Sequence, residues 1–125
     1  MNADGGDTIQ WKRPTTVLEL LVAARELIGV RERWCFGAMA RTKRGYPVSP
    51  RAPSAVSWCA MGALERCASW RTDAQRLQAL DLLIDAAQYL CSGSIVYLND
   101  LGKYPAVLLA YERAIAQAHV IEAQS

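Results

Sequence analysis

Cysteine is the most reactive residue type in this chain, so its thiols are the first candidates for chemistry. The four cysteines stand at positions 35, 59, 67 and 91. Cys59 lies near the predicted start of a helix, whose positive end lowers the pKa of a thiol and favours the nucleophilic thiolate. A nucleophile also needs a base, which the single histidine, His119, could provide with Asp100 to orient it. The candidate catalytic residues of a thiol-dependent enzyme are therefore Cys59, Asp100 and His119.

A structural role explains the same residues without catalysis. Cys59 also lies on an apolar stripe, where a free thiol packs as a small apolar side chain. Asn99 and Asp100 readily bind backbone N–H groups, and we expect them to fix the approach to a helix that begins at Pro105. The sequence contains no phosphate-binding glycine loop, no GxSxG and no HExxH. A protein that is not an enzyme is the favoured interpretation, and the thiol enzyme is the alternative.

The cysteines do not have the spacing of a metal site. Structural zinc sites usually take their ligands from closely spaced pairs such as CxxC, and no such pair occurs here. Cys59 and Cys67, on one helix, would lie about 12 Å apart along its axis, which is too far for a disulfide. We therefore expect no metal, no other cofactor and thiols that stay free.

The segment from Trp34 to Leu64 concentrates positive charge. It holds no acidic residue and four basic ones, which are Arg41, Lys43, Arg44 and Arg51. Because the whole chain carries +2, this segment carries +4 and the remaining residues carry −2. Tyr46 lies among these cations, and aromatic rings beside arginine are typical of surfaces that bind proteins or nucleic acids. The candidate binding residues are therefore Arg41, Lys43, Arg44, Tyr46 and Arg51.

Apolar residues repeat at helical spacing in four stretches, and a capping residue or a proline marks the start of each. The predicted helices begin at Thr15 or Thr16, Pro53 or Ser54, Thr72 or Asp73, and Pro105. The first helix should stop at Gly29 and the second near Trp70. Residues 94–100, SIVYLND, are predicted as a short helical turn before the last helix.

Between the first and second helices the pattern changes to two short extended pieces, FGAMAR and YPVS, joined by the turn TKRG. Gly45 can adopt the positive φ that a tight turn needs, and Pro47 places its strand at an edge. A two-stranded hairpin is marginal alone, so it must dock against the helices. We expect the large apolar rings of Trp34, Trp58 and Trp70 in the core.

The length of 125 residues fits one domain, and 52% apolar with 21% charged residues is typical of a globular protein. We predict a mainly α fold, a compact bundle of about four helices with one small two-stranded β-hairpin between helices 1 and 2. The single helical domain covers residues 15–119, after a loose N-terminal segment, 1–14, and before a tail, 120–125, that should fray. Because neither a secretory signal nor a membrane span is apparent, we expect a cytoplasmic protein.

Several short words of the sequence resemble a small bacterial and phage family of unknown function. They are GAxAR at 37–41, a proline in the second arm of the hairpin, WCxxGAL at 58–64, Asn99-Asp100 and ERAI at 112–115. The likeness spans about Leu20 to Ile115, and it implies a shared fold unit without a mechanism. Lys43 and Arg44 stand where relatives often look acidic, so a partner chosen by charge need not be shared.

Together these patterns favour a non-enzymatic, cytosolic macromolecule-binding protein that uses the basic hairpin. Its partner would be a protein complex or a nucleic acid, and no membrane would be involved. One version of this hypothesis is a phage-derived inhibitor of a host nucleic-acid-handling defence complex. A self-associating helical module, a homodimer formed through the wide apolar stripe of the third helix, is a further alternative to the thiol enzyme.

Overall fold

A computed structural model describes residues 13–91, 93–100 and 103–125, with the side chain of residue 91 outside the description. Of the predicted loose segment 1–14, only the last two residues are described. The helices and strands, in chain order, are α1 (Val17–Leu27), β1 (Ala40–Arg41), β2 (Ser57–Trp58), α2 (Ala60–Cys67), α3 (Asp73–Cys91), α4 (Ile95–Asp100) and α5 (Tyr104–Ala123). The mainly α fold with one small two-stranded antiparallel hairpin is thus confirmed.

The first helix begins where its capping residues predict. The Thr16 hydroxyl accepts a hydrogen bond from the Glu19 backbone N–H at 3.0 Å, and the Glu19 carboxylate accepts from the Thr16 N–H at 3.3 Å. This reciprocal capping box satisfies N–H groups that have no partner inside the helix. The predicted stripe is buried, with Leu20 and Leu21 fully inaccessible, so α1 presents one apolar face to the bundle.

The long helix α5 packs against α1, α3 and α4, while α2 packs against α1. The buried side of α5 includes Val107, Ala110 and Tyr111, all fully inaccessible. The Tyr111 hydroxyl donates a hydrogen bond to the Ala60 carbonyl oxygen at the start of α2, so a ring in the middle of the core also has its polar atom paired. The helix continues as far as Ala123, into the part of the chain where we expected a frayed tail.

The hairpin pairs β1 with β2, with Ala40 opposite Trp58 and Arg41 opposite Ser57. Inside its long loop the predicted tight turn folds back on β1: the Thr42 N–H donates to the Tyr46 carbonyl oxygen at 2.9 Å. Gly45 has a φ of +88°, as the turn requires. The arm YPVS therefore returns beside β1 but contributes only a single bridge, between Arg41 and Pro47.

The predicted start of the second helix at Pro53 or Ser54 is wrong. The helix begins only at Ala60, because residues 57–58 are extended and pair with β1. It ends at Cys67, short of the predicted end near Trp70. The buried residues of this region fit helical spacing and strand spacing equally well over so short a run. The hydrogen bonds to β1, which lies far away in sequence, decide between them.

Trp70 does not lie in the core. The prediction that it does is wrong, because 79% of its surface is accessible to solvent. After α2 the chain runs extended through Ala68 and Ser69 and then forms a 3-10 turn at Trp70–Thr72 that leads into α3. The Ser69 and Thr72 side chains cap this turn reciprocally, and the indole is left outside.

The third helix, α3, follows Thr72 as predicted, and α4 confirms the helical turn predicted for residues 94–100. Pro105 occupies the first turn of α5, where its missing N–H does no harm. Within the described residues, no helix is long and apolar enough to cross a membrane.

Candidate functional site

Asn99, at the end of α4, joins three distant parts of the chain. Its side-chain oxygen accepts one hydrogen bond from the Trp34 indole N–H at 2.8 Å and another from the Ala60 backbone N–H at 3.0 Å. Its amide nitrogen donates to the Cys35 carbonyl oxygen at 3.2 Å. Only 2% of Asn99 is exposed. We call Asn99 with Trp34, Cys35 and Ala60 the Asn99 junction.

The neighbours of the junction extend it on both sides. The Asp100 carboxylate accepts a hydrogen bond from the Gly37 N–H at 3.2 Å. The Cys59 N–H donates to the Met39 carbonyl oxygen at 3.1 Å. The motifs GAxAR, WCxxGAL and Asn-Asp, which are separate in sequence, are therefore in contact around Asn99. We expected the Asn-Asp pair to organise the approach to Pro105, part of which lies outside the described residues. The hydrogen bonds that the structure shows reach across to residues 34–37 and to α2.

A cleft of about 200 Å³ opens beside the junction. Its lining is mainly apolar and includes Met39, Met61 and Ile95, with Cys59 and Asp100 among the lining residues. The Cys59 sulfur accepts a hydrogen bond from the Gly62 N–H at 3.2 Å and lies 3.8 Å from the Met39 sulfur. Cys59 is thus the N-cap of α2, so the helix end that could activate the thiol uses it as a structural acceptor.

Burial acts against activation of the thiols. It raises the pKa of Cys59, and the hydrogen bonds from Gly62 and Met61 oppose that rise only in part. Burial also raises the pKa of Cys35, and it raises that of Cys67 to about 11. A raised pKa leaves less of the nucleophilic thiolate at neutral pH. These three cysteines are free.

His119 lies in a different part of the surface from Cys59. It is exposed on α5 and lines a separate cleft together with Leu18 and Val22 of α1. Tyr111, whose hydroxyl binds the residue after Cys59, is eight residues earlier on α5, which corresponds to about 12 Å along the helix. The structure therefore brings Asp100 to the Cys59 cleft but does not bring the histidine there.

Labelling of the folded protein tests this arrangement. We expect iodoacetamide at pH 7.5 to modify Cys59 at least about tenfold more slowly than it does in urea, because the folded thiol is buried and its pKa is raised. Mass spectrometry of tryptic peptides at timed intervals would give the rate for each cysteine. A Cys59 that reacts faster folded than unfolded would restore the thiol enzyme.

Two of the four predicted binding cations hold the hairpin loop together. The Arg41 guanidinium donates to the Phe36 carbonyl oxygen at 2.9 Å and to the Gly45 carbonyl oxygen at 2.9 Å. Arg51 donates to the Glu65 carbonyl oxygen at 3.0 Å and pairs with the Glu65 carboxylate at 3.4 Å. Their donors are directed at their own chain, which the sequence pattern did not reveal.

The other predicted binding residues lie at the tip of the loop and face solvent. Lys43 and Arg44 are exposed, and neither forms an ion pair with any residue that the structure describes. The Tyr46 side chain is 65% exposed. We call Lys43, Arg44 and Tyr46 the basic tip. The basic tip projects from the loop that the hydrogen bonds of Arg41 close. Two positive charges and one aromatic ring are therefore exposed on a loop whose conformation is fixed.

The described residues offer little to a metal ion. No group of three histidine, cysteine or acidic side chains comes close enough together in that part of the chain to bind one. This finding covers the buried Cys35 and Cys59 and the exposed carboxylate of Asp100.

Comparison with known proteins places the chain in a family. No curated protein and no solved structure matches the sequence. The model of a family of unknown function, DUF6197, matches residues 12–117, a range that runs from just before α1 into α5 and includes the junction, the cleft and the basic tip. The chain therefore belongs to DUF6197, a family of unknown function.

Proposed function

We propose that this protein is a non-enzymatic, cytoplasmic binding protein that uses the basic tip to recognise an acidic surface of a partner protein. The observation that supports the proposal best is the position of Lys43, Arg44 and Tyr46, exposed together on a loop that Arg41 closes. Charged residues around an exposed aromatic ring raise the association rate and supply specificity. The free thiols of Cys35, Cys59 and Cys67 fit a reducing compartment.

The number of available cations favours a protein over a nucleic acid. Affinity for DNA comes largely from the phosphates that cations neutralise, so a surface with few available cations gains little of it. Arg41 and Arg51 use their donors within the chain, which leaves Lys43 and Arg44 free at the tip. The surface beside them is partly apolar, since Tyr46 is 65% and Val56 46% exposed.

Charge reversal tests the role of the basic tip. We expect the double substitution Lys43→Glu with Arg44→Glu to weaken partner binding at least about tenfold, because both free cations become repulsive toward an acidic surface. Affinity capture from the native host, followed by titration of the captured protein, measures the change. The matched control is Arg13→Glu with Lys103→Glu, which alters the charge of two exposed residues elsewhere by the same amount.

Both variants should keep the far-ultraviolet circular dichroism of the parent, since all four residues are exposed. Equal binding by the tip variant and the control variant would refute the proposal. Loss of the captured partner on nuclease treatment would assign the tip to a nucleic acid instead.

The finer version of the proposal is a phage-derived inhibitor that covers a surface of a host nucleic-acid-handling defence complex. A compact domain with an exposed charged loop is suited to blocking a surface. Identification of the captured partner by mass spectrometry tests this version separately from the role of the tip.

A further inference from the structure

We infer that Trp70 and Arg71 form a second anchor for the same acidic protein partner, on the surface that adjoins the hairpin loop. This inference rests on the proposed function and extends it from one contact to a surface with two. The four observations behind it are the exposure of Trp70, the ring contact with Arg71, the caps that hold the turn, and a chain of ion pairs that leads from the loop to α3.

Trp70 is an unusual residue to leave in solvent. Among the described large apolar residues exposed to solvent it has the highest accessibility, 79%. The Arg71 guanidinium lies 5.0 Å from the centre of its ring, an arrangement in which a cation covers an aromatic face. Tryptophan and arginine are the residues most enriched among those that dominate binding energy in protein interfaces. The pair therefore has the composition of an interface anchor.

The turn that carries this anchor is held in place. The Thr72 hydroxyl accepts a hydrogen bond from the Ser69 N–H at 2.9 Å, and the Ser69 hydroxyl accepts from the Arg71 N–H at 3.3 Å. Thr72 is itself buried, with 6% exposed. An anchor on a fixed support loses less conformational entropy on binding than one on a free loop.

A chain of ion pairs joins the second anchor to the hairpin loop. Arg51 of the loop and Arg76 of α3 share one carboxylate oxygen of Glu65, at 3.4 and 3.9 Å. Arg76 also pairs with Asp73 at 2.9 Å, and Asp73 follows Trp70 by three residues. Exposed pairs of this kind add little stability. They do place the loop and the start of α3 side by side on one surface.

The charges of this surface select the class of partner. The two arginines and two acids of the ion-pair chain offset one another, and the half-buried Arg66 donates to the carbonyl oxygens of Pro50 and Ala52 in the loop. The exposed cations of this surface are therefore Lys43 and Arg44 at the tip and Arg71 at the second anchor. Arg71 forms no ion pair with the residues that the structure describes. Three cations with two exposed aromatic rings fit an acidic protein surface that also offers apolar contacts.

Site-specific photo-crosslinking tests the second anchor. The photoreactive amino acid benzoylphenylalanine is placed at position 46, 70 or 89 in the full chain, and each variant is irradiated with the partner captured by the parent protein. Tyr89 is the matched control, because it is an aromatic residue 69% exposed near the far end of α3. It lies about 24 Å along that helix from Asp73. We expect crosslinks to the same partner from positions 46 and 70 and none from 89.

Titration of the captured partner gives a second readout. Trp70→Ala should weaken binding at least about tenfold, as for other central tryptophans in interfaces, and leave the fold intact because the ring is exposed. A crosslink from position 46 without one from 70, with unchanged binding by Trp70→Ala, would overturn the second anchor and leave the proposed function standing. Absence of crosslinks from both positions would overturn both. A crosslinked product that nuclease removes would assign the surface to nucleic acid and also overturn the inference.

Discussion

Replacing Asn99 with alanine should lower the free energy of unfolding by about 3 kcal/mol or more. The substitution removes three hydrogen bonds at once and leaves their partners, the Trp34 indole N–H, the Ala60 N–H and the Cys35 carbonyl, without an acceptor or donor. Each buried polar group left unpaired costs about 1 to 3 kcal/mol. Because a domain of this size is stable by only about 5 to 15 kcal/mol, the change is a large fraction of the total.

Urea denaturation followed by circular dichroism measures this loss. The control is Asp100→Ala, the adjacent position, where one hydrogen bond from the Gly37 N–H to an exposed carboxylate is lost. That variant should lose only about 0.5 to 1.5 kcal/mol. If Asn99→Ala proved no less stable than Asp100→Ala, the junction would not be the structural centre that its hydrogen bonds indicate.

The helices could be predicted from the sequence because their signals are local. The stripe through Leu20 and Leu21, the cap at Thr16, and Pro105 at the start of the last helix all lie within a few residues of the boundaries they determine. Helix period and capping chemistry act over one or two turns. A single sequence therefore contains what is needed to place them.

The start of α2 and the junction depend on contacts between distant residues. Trp58 pairs with Ala40, and Trp34 binds Asn99, which is 65 residues away. No periodicity connects residues so far apart. The sequence therefore singled out the Trp-Cys and Asn-Asp motifs without showing that they are in contact. Asn99 was expected to act on nearby backbone, because that is the commonest role of asparagine before a helix.

The roles of the four cations in the basic segment, Trp34 to Leu64, also depend on contacts that the sequence pattern does not show. Composition identified its four cations, but it gave them equal weight, whereas the structure separates them into two pairs. Arg41 and Arg51 bind backbone carbonyls of their own chain, while Lys43 and Arg44 face solvent. The planar fork of arginine holds five N–H donors in fixed directions, which suits two carbonyl groups at once. Only Lys43 and Arg44 therefore remain as exposed cations for the proposed binding surface, and Arg41 fixes the loop that carries them.

The Asn99 junction and the basic tip are connected through β1 and the residues just before it. Met39 accepts from the Cys59 N–H, and the next two residues form β1, from which the basic tip projects. The polar contacts of Asn99 and Asp100 fix the base of the hairpin, and Arg41 fixes its loop. The residues of the Asn99 junction therefore position the hairpin, and the residues of the proposed recognition surface are the exposed ones that this frame presents.

The substitution Gly62→Ala should destabilise the protein by about 3 kcal/mol, although alanine usually stabilises the interior of a helix by about 0.5 to 1 kcal/mol relative to glycine. The reason is the close approach of Met39, the residue before β1, to α2: an added Cβ would overlap the Met39 carbonyl oxygen and approach its carbonyl carbon to 2.9 Å. The obstructing atoms belong to backbone, so no side-chain rotation relieves the overlap, and overpacking of this kind costs about 1 to 3 kcal/mol or more.

Gly45→Ala provides the matched control for this prediction. An added Cβ there meets no atom within 4 Å, and the cost, about 1 kcal/mol, comes only from its φ of +88°. Urea denaturation of the two variants beside the parent compares steric overlap with backbone strain. A Gly62→Ala protein as stable as the parent would mean that α2 can move away from Met39. The hydrogen bond from the Cys59 N–H to the Met39 carbonyl oxygen, 3.1 Å long, opposes that movement, because the same carbonyl that excludes the methyl group also holds the start of the helix.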